Sequence, residues 1–298
     1  RLFDAPEDAV ARAASSTTRE EYIERIVRGG FPLALATATQ AARGRWMDNY
    51  VRLTLERDVQ ALSRVRQAHA LPTVLERLAG QSAQIYNGAS VANGLGIDEK
   101  TARDYVRLLE SVFLVRLLPA WDRTLTARTT ARPKAHLIDS GIASRLLRLT
   151  PEKLGRRDPT ALTQFGHLLE TFVVGELLAQ ATWLDSVSVG HWRTRDNTEV
   201  DLVLESDDGR VVGVEVKAGA RVAGEDFSGL RRLRELVGDA FTAGLVLYTG
   251  ARGYTMEDRL HVLPIDRLWR DSPQLEGPRG PNTPRHAGHN NSPDGVAP

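Results

Sequence analysis

Three acidic side chains and a lysine stand at spacings that suit phosphodiester chemistry. Asp201 lies in Glu199-Val200-Asp201-Leu202-Val203-Leu204, Glu215 and Lys217 lie in Val214-Glu215-Val216-Lys217, and Glu170 sits upstream in an apolar helical run. In a strand, residues two apart share a face, so Glu215 and Lys217 point one way while Val214 and Val216 point into a core. Asp207-Asp208-Gly209 reads as the turn between the two segments, and antiparallel pairing then sets Asp201 roughly opposite Glu215. A hard divalent cation, Mg2+ or Mn2+, takes oxygen ligands and keeps several waters, so Asp201 and Glu215 with a substrate phosphate would complete its shell. The ion would activate a water and offset charge on the phosphodiester. Lys217 would orient that water or stabilise the pentavalent phosphorus, and Glu170 would hold metal or water from the helix side. Ordinary ion pairing with Glu215 or Asp201 also accounts for Lys217.

The elements that must position these groups follow from periodicity. The run around Gly166 to Leu178 is helical and apolar on most sides, with Gln164, His167, Thr171 and Gly175 as its narrow polar stripe. Glu170 and Glu176 both lie off that stripe, so each needs a cation, a donor or a proton, and Glu176 is a further candidate acid. Strands are expected at 187–192, 199–204 and 211–217, then a helix near 226–237 and another strand at 241–248. A mixed sheet flanked by helices is the economical arrangement.

Upstream, the pattern is helical from Arg19 to about Val65, broken at Gly29-Gly30-Phe31-Pro32. Residues 71–121 read as a helix, a short helix around Ser90 to Leu95, a turn at Gly96 and a longer helix opened by Asp98 as N-cap. The β-prone Phe113 to Pro119 would form a wing. Lys100, Arg103 and Arg107 share one face of the longer helix, apart from the stripe of Ala102, Val106, Leu109 and Val112. Two readings stand: a recognition helix for DNA, or a packing module whose bases are merely solvated. Pro133 to Gly141 reads as a strand turning into a helix capped by Asp139 or Ser140, and His136 carries no assigned role.

The fold class expected is α/β in composition and α+β overall. Its parts are a helical segment (1–70), a winged helix-turn-helix region (71–150), a mixed sheet flanked by helices (151–270) and a disordered tail (271–298) rich in Pro, Gly, Asn and Ser.

The chain has 298 residues and no cysteine, which excludes disulfides, thiolate zinc sites and cysteine nucleophiles and suits a reducing cytoplasm. Its net charge of +1 means that any nucleic-acid surface must be a local cluster. No apolar run is long enough to span a membrane, and no secretory leader is seen. No Gly-x-x-x-x-Gly-Lys-Ser/Thr loop occurs, so the chain has no Walker-type phosphate cradle. It opens on Arg1, and 1–16 reads as the continuation of a longer chain.

The order of a helix acid, a strand aspartate and a Glu-x-Lys strand resembles the PD-(D/E)XK nucleases. That resemblance implies a restriction-endonuclease-like fold for the mixed sheet of 151–270 and a catalytic set of Glu170, Asp201, Glu215 and Lys217, with Asp201 and Glu215 as metal ligands. A wider resemblance, from about Tyr22 to Trp269, is to the C-terminal part of prokaryotic AAA-type ATPases that end in a domain of unknown function with this nuclease-like fold. It is carried by Gly29-Gly30-Phe31-Pro32, Arg57-Asp58, Leu95-Gly96-Ile97 with Thr101 and Tyr105, and Lys134 through Gly141. It implies a lid-like role for the helical segment 1–70, and ATP binding and hydrolysis only in a full-length parent. Two functions are expected: a DNA-associated, metal-dependent nuclease-like module, or an inactive nuclease fold whose winged helix binds DNA, a protein partner or a second copy.

Overall fold

The computed structural model describes residues 3–59, 68–124, 131–183 and 187–270. The expected tail at 271–298 and the end of the first helical region lie outside these. The fold is α+β, and most of its described helices begin at a side-chain cap, while those at Pro6, Pro32, Leu71 and Ser228 do not. After α1 (Pro6–Val10), α2 (Arg19–Arg28) is opened by a capping box between Thr18 and Glu21 and stopped by Gly29. Two helices follow, α3 (Pro32–Leu35) and α4 (Gln40–Leu53).

Among the described residues, six elements from Leu71 onward have the order and pairing of a winged helix. They are α5 (Leu71–Gly80), β1 (Gln84–Ile85), α6 (Gly88–Ala92), α7 (Glu99–Ser111), β2 (Val115–Leu118) and β3 (Lys134–Leu137). The strands form an antiparallel sheet ordered β1-β3-β2, and Asp98 caps α7 by accepting from the Thr101 N–H.

Asp139 then caps α8 (Ser140–Leu146), with Oδ1 accepting from the Ile142 N–H at 2.9 Å. Its Oδ2 accepts from the Gly30 N–H at 2.7 Å, which ties the Gly29-Gly30 turn to the start of α8. Gly29 has φ +68° and ψ −171°, a region open only to glycine, and a Cβ there would run into the Asp139 carboxylate.

A short α9 (Pro151–Gly155) leads to α10 (Pro159–Ala181), the longest helix among the described residues, capped by Asp158. The main sheet follows as β4 (Val187–Arg193), β5 (Glu199–Ser206), β6 (Val211–Lys217), then α11 (Ser228–Val237), β7 (Phe241–Tyr248), β8 (Tyr254–Glu257) and β9 (Leu260–Pro264). Its order is β4-β5-β6-β7-β9-β8, antiparallel from β4 to β6, parallel from β6 through β7 to β9, and antiparallel again at β8. The β5–β6 turn falls at Asp207-Asp208-Gly209 as expected, with Gly209 at φ +82°.

The larger core is shared by the helical segment, the winged-helix unit, α10 and one face of the main sheet, from Tyr22 through Val106 and Phe165 to Leu202, Val214 and Leu245. The opposite face packs Val203, Val246 and Val262 against Phe227, Leu230 and Leu233 of the α11 region. The two sheets also meet through backbone: His191 of β4 donates to Pro119 at 2.9 Å and accepts from the Trp121 N–H at 2.6 Å. The winged-helix unit is therefore built into the sheet's edge and shares its core.

Candidate functional site

The candidate residues gather where β5 and β6 part, beneath α10. Their ladder runs from Glu205↔Val211 to Leu202↔Val214, and the next step in that register puts Asp201 opposite Glu215. The ladder stops there, and the N–H of Val216 donates instead to Asp201 Oδ2 at 2.9 Å. On its other side β5 is bulged, because the pairing passes from Gly190↔Val203 to Trp192↔Val200 and leaves Asp201 and Leu202 both facing His191. A bulge re-aims side chains. Here it brings Asp201 to the side of the sheet covered by α10.

The residue that completes the site is Lys134, the first residue of β3. Its Nζ lies 2.8 Å from Asp201 Oδ1 and 2.9 Å from Glu170 Oε1, with the lysine side chain only 2% exposed. Two residues on, His136 Nδ1 lies 3.2 Å from Thr171 Oγ1, so one face of β3 is laid along adjacent residues of α10. Burial opposes the ammonium, but Asp201 and then Glu170 outweigh it and hold the Lys134 pKa above lysine's ordinary value. Burial and the neighbouring Asp201 push the Glu170 carboxyl well above its ordinary value despite Lys134. Glu215 is pushed up to about 8, by burial first and Asp201 second. The cluster is thus organised around one internal cation.

Lys217 Nζ lies 3.1 Å from Glu215 Oε1 and 3.3 Å from Asp226 Oδ1, in the turn before α11. Glu215 Oε2 is buried and has no hydrogen-bond partner. The structure therefore brings Glu170, Asp201, Glu215 and Lys217 into one network. Glu176 is not drawn into it. Six residues further along α10 is about 9 Å along the axis and about 240° around it. There its carboxyl, pushed up by burial, feels Arg25.

Of the four carboxylate oxygens on the expected metal ligands Asp201 and Glu215, three are already engaged in this geometry and Glu215 Oε2 is not. Asp201 Oδ1 and Glu170 Oε1 are both taken by Lys134, so an ion held on the helix side by Asp201 and Glu170 would have to displace an ammonium, whereas one held by Asp201 and Glu215 would meet the open Glu215 Oε2. Among the described residues no set of three acidic or histidine side chains is arranged to ligate a metal.

The three basic residues of α7 are all exposed. Arg103 Nη2 lies 3.2 Å from Glu99 Oε1, and Arg107 Nη1 lies 4.0 Å from Asp104 Oδ1, while Lys100 has no ion pair among the described residues. With Glu110 nearby, the outward side of this helix balances its bases with acids.

Lys134 was absent from the candidates read from sequence, although the segment containing it was singled out. Two signals point to it: it is the only charged residue of its strand, and the sequence requires buried carboxylates to find a cation.

Residues 19–153 match the family model of a domain of unknown function, DUF8612, and residues 165–268 match that of another, DUF4143. An uncharacterized protein of Mycobacterium tuberculosis and one of Mycobacterium bovis are each 29% identical over 243 residues, which is 81% of this chain and 52% of the relative. The chain thus spans about half the length of these curated relatives. A crystal structure of a Vibrio cholerae protein aligns over 85% of this chain and 58% of its own at 14% identity, with a TM-score of 0.27, too loose a superposition to bear on the fold. No helix among the described residues is long and apolar enough to cross a membrane.

Proposed function

We propose that this chain is a non-hydrolytic regulatory part of an AAA-type ATPase, in which a nuclease-like sheet carries a winged-helix unit that docks a protein partner. The Lys134 bridge carries this reading. An ammonium from the winged-helix sheet fills the carboxylate cluster that a nuclease would present to its metal, so the cluster joins the two units. Buried ion pairs add little net stability over apolar packing, but they fix one arrangement in space. The ATPase context is supported by the resemblance carried on Gly29 to Pro32 and on Lys134 to Gly141. It is also supported by the match to DUF4143, a domain typically found at the C-terminus of AAA ATPases.

A second reading is metal-dependent phosphodiester cleavage, favoured by the buried, unpartnered Glu215 Oε2 beside Asp201 and Lys217. One screen separates the two: duplex, single-stranded and branched DNA with Mg2+ or Mn2+, comparing wild type with Asp201→Ala and Lys217→Ala. The expected result is no wild-type cleavage above the Asp201→Ala background. Cleavage abolished by both substitutions would replace the regulatory reading with the catalytic one.

The balanced charges of α7 give a separate expectation for DNA. Phosphate contacts set the salt dependence of binding, at about 0.9 in log–log slope per contact. Duplex affinity is expected to be weak, shallow in salt and unchanged when Lys100, Arg103 and Arg107 are all replaced by alanine. A steep slope that the triple variant flattens by about 3 would make α7 a recognition helix after all.

A further inference from the structure

Away from the carboxylate cluster, α2, α4, α8 and α9 enclose a cleft of about 680 Å3. That volume suits a small organic molecule. Its lining includes Arg28, Arg43, Arg145, Arg148 and Lys153, against the acids Glu24, Asp48 and Glu76. Two of the five cations are committed within the protein. Arg145 makes a two-point pair with Asp48, at 2.8 and 2.6 Å, and Lys153 Nζ donates to the Arg148 carbonyl at 2.9 Å. Gly44 lets the Arg145 guanidinium lie against α4, since a Cβ there would stand 3.3 Å from its Cζ.

Arg43 differs from these. Its Nε is buried and has no acceptor, although the residue lines the cleft. A buried donor left unsatisfied costs about 1–3 kcal/mol, more when charged, unless something else supplies an acceptor. Arg28 and Arg148 are exposed, with no ion pair among the described residues. Three guanidinium groups from three segments thus line one concavity, Arg43 with a buried donor unmet and Arg28 and Arg148 open to solvent. A single carboxylate would answer one of them, whereas a di- or triphosphate presents several charged oxygens to planar donors. Val27, Met47, Leu146 and Leu149 supply apolar wall for an uncharged moiety.

We infer that this cleft binds a small phosphate-bearing molecule of nucleotide size, held by Arg43, Arg28 and Arg148. The inference does not rest on the regulatory reading above, because the cleft shares no residue with the carboxylate cluster.

Isothermal titration of the full chain with pyrophosphate, ATP and adenosine tests it. Saturable binding of pyrophosphate and ATP is expected, weakened at least 10-fold by Arg43→Gln and by the paired change Arg28→Gln with Arg148→Gln. The paired change alters only exposed side chains, so it reports even where Arg43→Gln perturbs folding. Equal affinity for pyrophosphate and ATP would assign recognition to the phosphates alone, and tighter ATP would add the apolar wall. Absence of binding at millimolar concentration, adenosine binding as well as ATP, or affinities unmoved by the paired change would each overturn the inference.

Discussion

Lys134→Met is expected to lower unfolding stability by about 3–5 kcal/mol, the usual cost of stripping one partner from a buried ion pair. The substitution keeps the length and apolar body of the side chain, so the loss isolates the charge. Asp201 would retain only the Val216 N–H, and Glu170, on the sheet-facing side of α10, would lose its cation while 13% exposed. Adding Asp201→Asn and Glu170→Gln in the same background should recover most of the loss, because the burial penalty falls on charge and leaves shape unchanged. Urea unfolding midpoints read both effects. The same variants probe the metal. In Lys134→Met the carboxylates lack their cation, and millimolar Mg2+ should raise the melting midpoint, as any ligand of the native state does. Wild type should not respond. Stabilisation of the wild-type protein by Mg2+, lost in Asp201→Ala, would show that the ion displaces Lys134 and that the internal-cation reading is wrong.

Why Lys134 escaped the sequence reading is a matter of distance along the chain. Asp201, Glu215 and Lys217 sit on consecutive strands joined by a short turn, so period-two alternation and one hairpin suffice to group them. Glu170 required only a helix preceding that hairpin. Lys134 comes from the other sheet, 67 positions before Asp201, and reaches it only because β2 and β4 are joined through His191 and β3 lies on α10. No periodicity encodes that juxtaposition. The β5 bulge was equally hidden, since Glu199 to Leu204 reads as an unbroken strand. The winged-helix order was legible because its signals are local: Asp98 as a cap, the break at Gly96 and the apolar stripe of α7. The pairing of Arg103 with Glu99 was local too, because the acid stands one helical turn before the base, at i and i+4.

Opposite pH profiles are expected from two substitutions at the heart of the network, His136→Gln and Glu215→Gln. His136 is buried beside Lys134, has Nε2 unpartnered and is pushed down to about 3, first by burial and then by Lys134. The unfolded chain takes up a proton below about 6.5 while the native state refuses it, so this histidine costs stability progressively as pH falls from 6.5 toward 3. The slope is about 1.4 kcal/mol per pH unit. His191, pushed down to about 4 by burial and Lys134, acts in the same direction. Glu215 has the reverse sign. With its carboxyl near 8 against an ordinary 4.5, the native state holds a proton that the unfolded chain releases, so stability is lost as pH rises through that window. Glu170, raised for the same reason, adds to this. In wild type the two trends offset each other between 4.5 and 6.5, and the total profile conceals both. Differences from the variants separate them. Glutamine at 136 can still bond Thr171 Oγ1, and His136→Gln should gain on wild type steadily as pH drops below 6.5. Glu215→Gln should gain on wild type as pH rises from 4.5 to 8 and change little beyond. Urea midpoints across this range measure both, and a difference independent of pH in either variant would mean that the group titrates normally and that burial does not govern the network's charge.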